Sequence, residues 1–186
     1  MVALTALWLP ILLSAVLVFI ASSIMHTVLT YHRSDCHQLP DEDQLLAALR
    51  AAGVQRGLYM FPYSANPKDM KSPAMAEKYK QGPVGMMTVF PTGLPVMPKF
   101  LAMWFAFCLI VSYFVAYLTG RTVAPGAPYL GVLRVASTSA FLAYGVGQLV
   151  NSIWKGQPWS MTVKEVLDGF IYSLLTAAAF AWLWPH

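Results

Sequence analysis

Residues 4–29 read LTALWLPILLSAVLVFIASSIMHTVL, an apolar run without one Asp, Glu, Lys or Arg. The hydrocarbon layer of a bilayer is about 30 Å thick, and a helix needs roughly 20 apolar residues to cross it. Leu4–Leu29 meets that length. So do three further stretches, Phe100–Thr119, Leu130–Trp154 and Thr162–Trp184, and together the four take up more than half of the chain. With 58% hydrophobic and 11% charged residues, the chain reads as an all-α integral membrane protein. The expected division is a first transmembrane helix over 1–30, an extramembrane α/β loop module over 31–99, and three further transmembrane helices over 100–186.

Charge sets the expected orientation. Of the 12 Lys and Arg, all but Arg121 and Arg134 fall on one side of a four-span threading. Basic residues near a span are retained on the cytoplasmic side. Residues 31–99 are therefore expected in the cytoplasm and both termini outside, in a plasma or inner membrane. Trp8, Tyr117, Tyr129, Trp182 and Trp184 mark one interface, and Tyr31, Trp104, Trp154 and Trp159 the other. The first span has no basic residue before it and is too long for a secretory signal, so it reads as an uncleaved anchor. The net charge of +4 suits anionic lipid head groups better than nucleic acid. Cys36 and Cys108 lie at different expected depths, which argues against a disulfide.

The loop module differs in composition from the spans. Asp41, with Gln44 three residues on, marks a helix start, Leu45, Leu46 and Leu49 supply an apolar face, and Gly53 a stop. Leu58–Pro62 reads as a strand. Ser72-Pro73 opens a second helix that ends at Gly82. Val84–Phe90 reads as a second strand. The expected order is α-β-α-β in a module too small to bury much surface alone, which would lean on the membrane bundle or a partner.

Polar residues inside a bilayer are costly and so attract functional readings. His26, Gln148, Asn151, Asp168 and Tyr172 thread to similar depth, with Trp159 at the entrance. They form the expected ligand-binding set for a quinone, a lipid or a proton-coupled solute. The structural alternative is interhelical hydrogen bonding, with Asp168 paired to Lys164 one turn away. Ala143 and Gly147 on the third span, and Gly169, Ser173 and Ala177 on the fourth, recur at four-residue spacing and predict close packing of those two helices.

His26, His32, Cys36 and His37 match no zinc-ligand spacing. The methionines of the loop module, Met60, Met70, Met75, Met86 and Met87 with Met97, lack the regular repeat of a copper site. His26 is the only histidine within a span, so no haem, metal or other cofactor is expected. No nucleophile elbow, P-loop or dinucleotide fingerprint is present. The sequence therefore favours a non-enzymatic accessory or stabilising subunit, bound to other membrane-protein subunits or to itself and not to nucleic acid. Tyr59, Met60, Phe61, Met86 and Met87 are its expected docking residues. The membrane-embedded small-molecule pocket is the second reading.

Overall fold

The computed structural model describes residues 1–186. Its elements follow in the order α1 (Trp8–Thr27), α2 (Glu42–Ala51), β1 (Gly57–Phe61), α3 (Pro73–Gln81), β2 (Gly85–Val89), α4 (Met97–Thr122), α5 (Tyr129–Tyr144), α6 (Leu149–Lys155) and α7 (Trp159–Trp182). Four helical stretches are long and apolar enough to cross a membrane: Leu4–Thr27, Met97–Thr122, Tyr129–Lys155 and Trp159–Trp182. The shortest two have 24 residues, about 36 Å at the rise of an α-helix. The chain forms two compact units, Met1–Asp35 with Val96–His186, and Cys36–Pro95.

In the helical unit α7 is the central element. Half of its apolar stretch is buried, against 28% for each of the other three. Its closest neighbour is α5, where Val132, Ala136, Ala140 and Tyr144 are buried at every fourth position. Gly169 of α7 sits directly on the α5 backbone. A Cβ there would lie 2.6 Å from the Gly145 Cα, closer than carbon atoms approach.

This close pairing of the third and fourth spans uses a different face of the third span from the expected one. Ala143 and Gly147 are both exposed. The reason is that the third span is not one continuous helix. α5 ends at Gly145, a 3-10 turn covers Val146–Gln148, and α6 resumes at Leu149. Four-residue spacing across that break no longer marks a shared face.

α1 is tied to α4 by two side-chain hydrogen bonds. Ser14 Oγ donates to Ser112 Oγ at 2.9 Å, and Trp104 Nε1 donates to Ser22 Oγ at 2.8 Å. At the other end of the bundle from Trp104, the Trp184 indole donates to the Ala124 carbonyl at 2.9 Å. Large apolar side chains, among them Ile20, Phe114 and Leu167, face outward from these helices.

The second unit has the expected α-β-α-β order. β1 and β2 pair antiparallel, with Tyr59 opposite Met87 and Met60 opposite Met86. Asp41 caps α2 by accepting from the Gln44 amide at 3.4 Å, and Ser72 caps α3 by accepting from the Met75 amide at 3.2 Å. Gly82, at φ +63°, ends α3 in a conformation that side chains resist. Met75 is the only buried side chain in the unit.

Candidate functional site

The site grows from the last turn of α1. Ser22 and Ser23 bond back to the Phe19 carbonyl, and His26 Nδ1 lies 3.1 Å from the Ser22 carbonyl. After Thr27 the chain leaves the helix, and a 3-10 turn over Tyr31–Ser34 carries three polar side chains onto the first turns of α7. Asp168, 4% exposed, receives two of them. The Tyr31 hydroxyl donates to Asp168 Oδ1, and His32 Nε2 lies 2.8 Å from Asp168 Oδ2. His32 Nδ1 is 2.5 Å from Asp35 Oδ2, so one imidazole bridges two carboxylates.

Lys164, one turn before Asp168 on α7, completes the network. Its ammonium donates to Asp35 Oδ1 at 2.6 Å, to the Tyr31 carbonyl at 2.7 Å and to Ser34 Oγ at 2.8 Å. The pairing of Lys164 with Asp168 suggested by their spacing is therefore replaced. Lys164 serves Asp35, while Asp168 serves Tyr31 and His32. With both carboxylates ionised and both His32 and Lys164 protonated, the four groups sum to zero charge.

Burial would lower the pKa of His32, but its bonds to Asp35 and Asp168 outweigh that effect and hold it above the ordinary histidine value. Burial would raise that of Asp35; the Lys164 ammonium and His32 outweigh it and bring the carboxyl below its usual range. Burial and then the bond to Asp168 both push the Tyr31 phenol upward.

Beside this network is a cavity of about 500 Å³. α1 contributes Ser23 and His26 to its lining, α4 contributes Leu101, Trp104 and Phe107, and Tyr144 and Gln148 flank it at the break of the third span. α7 contributes Glu165, Asp168 and Tyr172. The lining combines polar groups with the aromatic rings of Trp104, Phe107, Tyr144 and Tyr172. Trp104 is edge-on to Tyr172 at 6.2 Å between centroids, and Tyr144 is edge-on to Tyr172 at 5.8 Å. Tyr172 is 4% exposed and Tyr144 3% exposed, and neither hydroxyl has a hydrogen-bond partner. Buried hydroxyls are nearly always paired, so each orphan calls for an explanation.

Of the residues singled out by threading, His26, Gln148, Asp168 and Tyr172 line this one cavity. Asn151 is outside it. Its amide donates to Gln148 Oε1 at 3.1 Å, and its carbonyl oxygen accepts from Lys155 at 2.9 Å. Trp159 stands exposed at the start of α7 and does not line the cavity. In the separate Cys36–Pro95 unit, Met60 and Phe61 of β1 are exposed, while Tyr59, Met86 and Met87 are half-buried. Tyr31, His32, Asp35, Trp104 and Tyr144 were not among the expected site residues. The three-residue step from His32 to Asp35 was the available signal, since it brings an imidazole to a carboxylate on a single helical turn.

Comparison with protein-family models, curated proteins and solved structures finds no match to this chain.

Proposed function

We propose that this is a multi-pass membrane protein whose cavity binds a small amphiphile with a planar, carbonyl-bearing ring as its head group, a quinone being the best fit. The observation that carries the reading is the buried, unpartnered Tyr172 hydroxyl beside an open cavity. A phenolic hydroxyl left without a protein partner can donate to an acceptor that enters the cavity, and a quinone carbonyl is such an acceptor. Cys108, Ser112 and Thr176 are near the equally unpaired Tyr144 hydroxyl, so Tyr172 is the clearer donor. Trp104 and Phe107 offer faces for a planar ring, and Leu101 and Met97 an apolar path for a tail. A volume of about 500 Å³ lies within the usual range for such ligands.

Four apolar helices with outward-facing Ile20, Phe114 and Leu167 support residence in a bilayer. The excess of Lys and Arg in and around 31–99 supports a plasma or inner membrane with that segment in the cytoplasm and both termini outside.

The test is equilibrium dialysis of a short-chain benzoquinone against the purified protein in mild detergent. Saturable binding at one site is expected. Tyr172→Phe should weaken it by roughly five- to tenfold, the worth of one neutral hydrogen bond. Leu101→Trp, which fills the cavity, should abolish it while the protein stays folded. Absence of saturable binding, or binding indifferent to both substitutions, refutes the reading.

A second reading, an accessory subunit that docks through Tyr59, Met60, Phe61, Met86 and Met87, draws support from the Cys36–Pro95 unit. That unit buries a single side chain and leaves Leu58, Met60 and Phe61 exposed, which suits a surface that gains cover from another membrane subunit or a second copy. Native mass spectrometry from mild detergent tests it, and a monomer without any partner counts against it.

A further inference from the structure

We propose that Nε2 of His26, Nε2 of His32 and a carboxylate oxygen of Asp168 form a binding site for one divalent first-row transition metal ion of zinc-like chemistry. The spacing of histidines and cysteines in the sequence predicts no metal, because the third ligand is 136 residues away from His32. Folding removes that separation. A ligand atom from each of the three residues lies within 4.8 Å of the other two. The two imidazole rings stack 4.4 Å apart at 19°. Atoms held at about 2 Å from a four-coordinate ion are about 3.3 Å from each other, and an imidazole binds a metal within its ring plane, so on binding the three groups draw together and the stacked rings turn toward a common point.

The surroundings of the two histidines are those of metal ligands. Metal-bound histidine hands its other ring N–H to a carboxylate or a backbone carbonyl, which fixes the tautomer and aims the free nitrogen. Both arrangements occur here. His32 Nδ1 faces Asp35 at 2.5 Å, and His26 Nδ1 faces the Ser22 carbonyl at 3.1 Å. In each ring Nε2 is left as the ligand atom. Asp35 is itself fixed by Lys164, and the Tyr31 hydroxyl holds the other oxygen of Asp168. A metal ion would enter between His32 and Asp168, replacing the proton they share.

Two imidazoles and one carboxylate, with no thiolate, suit zinc and its divalent neighbours rather than Cu(I). Three protein ligands leave a coordination position open, and His26 and Asp168 both line the cavity. That pattern belongs to ion sites that meet a ligand or water rather than to closed structural ones.

The inference stands apart from quinone binding, and the experiment keeps them separate. Chelator-treated protein, purified through a histidine-free tag, is titrated with Zn2+ in the absence of quinone. Co2+ provides a visible spectrum as a second readout. One equivalent is expected to bind, and His26→Ala and His32→Ala should each weaken binding at least tenfold. Asp35→Asn should weaken it by roughly 10- to 100-fold through loss of the outer carboxylate. Cys36→Ala, His37→Ala and Tyr172→Phe should leave Zn2+ affinity unchanged, the last even though it impairs quinone binding. His26 is exposed and its one hydrogen bond is to the Ser22 carbonyl of its own helix, so it decides the matter if His32→Ala unfolds. No stoichiometric Zn2+, or stoichiometric Zn2+ undiminished in His26→Ala, overturns the site.

Discussion

His32 Nε2 lies 2.8 Å from Asp168 Oδ2, joining the turn that follows the first span to the central helix of the bundle. The bond reaches a carboxylate that is 4% exposed, where an unpaired charge would be expensive. This end of the bundle is therefore held by polar groups, in contrast to the packing of small side chains along α5 and α7.

That anchoring has a measurable consequence at Lys164. Lys164→Met leaves the Asp35 carboxylate with His32 as its one charged partner and is expected to destabilise the protein by about 1–3 kcal/mol. Adding Asp35→Asn should recover part of the loss, because the two residues share a network. Thermal denaturation in detergent of both single variants and the double variant gives the coupling. Strict additivity would show that the ion pair contributes nothing.

Gly169 lies on the face of the fourth span that its spacing suggested, whereas Gly147 lies off the face by which the third span packs. Gly169→Ala places a methyl against the Gly145 backbone, which cannot yield as a side chain could, and should cost about 1–3 kcal/mol or more. Gly147→Ala meets nothing closer than 3.9 Å and should change stability by less than about 0.5 kcal/mol. Equal melting temperatures for the two variants would contradict the α5–α7 contact.

The two cysteines report on topology. Cys36 is exposed and Cys108 is buried, so a maleimide should modify the folded protein once and the unfolded protein twice. In intact cells, a membrane-impermeant maleimide should leave Cys36 unmodified until the membrane is opened. Labelling of Cys36 from outside would reverse the proposed orientation.

The Ser14–Ser112 bond between α1 and α4 should matter little. Ser112→Ala is expected to cost under about 1 kcal/mol, in line with the modest worth of such bonds between membrane helices. A loss of several kcal/mol in a denaturation series would give this pair a larger part in holding the bundle than its geometry implies.

Much of the helical architecture was legible because apolar length and turn chemistry are local properties. The starts at Asp41 and Ser72 and the stop at Gly82 follow from side chains that act within four residues. The break at Gly145 was hidden because the residues around it are apolar enough to continue a span. The cavity was half visible. His26, Gln148, Asp168 and Tyr172 announce themselves as polar groups at one depth, whereas Trp104 and Tyr144 look like ordinary membrane aromatics until the helices are assembled. His32 and Asp35 were hidden for another reason. Lying beyond the span, they read as a solvated juxtamembrane turn, and only the fold brings that turn back onto α7.

Photoaffinity labelling with an azido derivative of a short-chain benzoquinone, followed by peptide mapping, tests the proposed cavity most directly. The expected result is labelling confined to the walls around Trp104, Gln148 and Tyr172, suppressed by excess unlabelled quinone and lost in Leu101→Trp. Labelling spread over outward-facing positions such as Ile20 and Phe114, or unaffected by excess quinone, would contradict it.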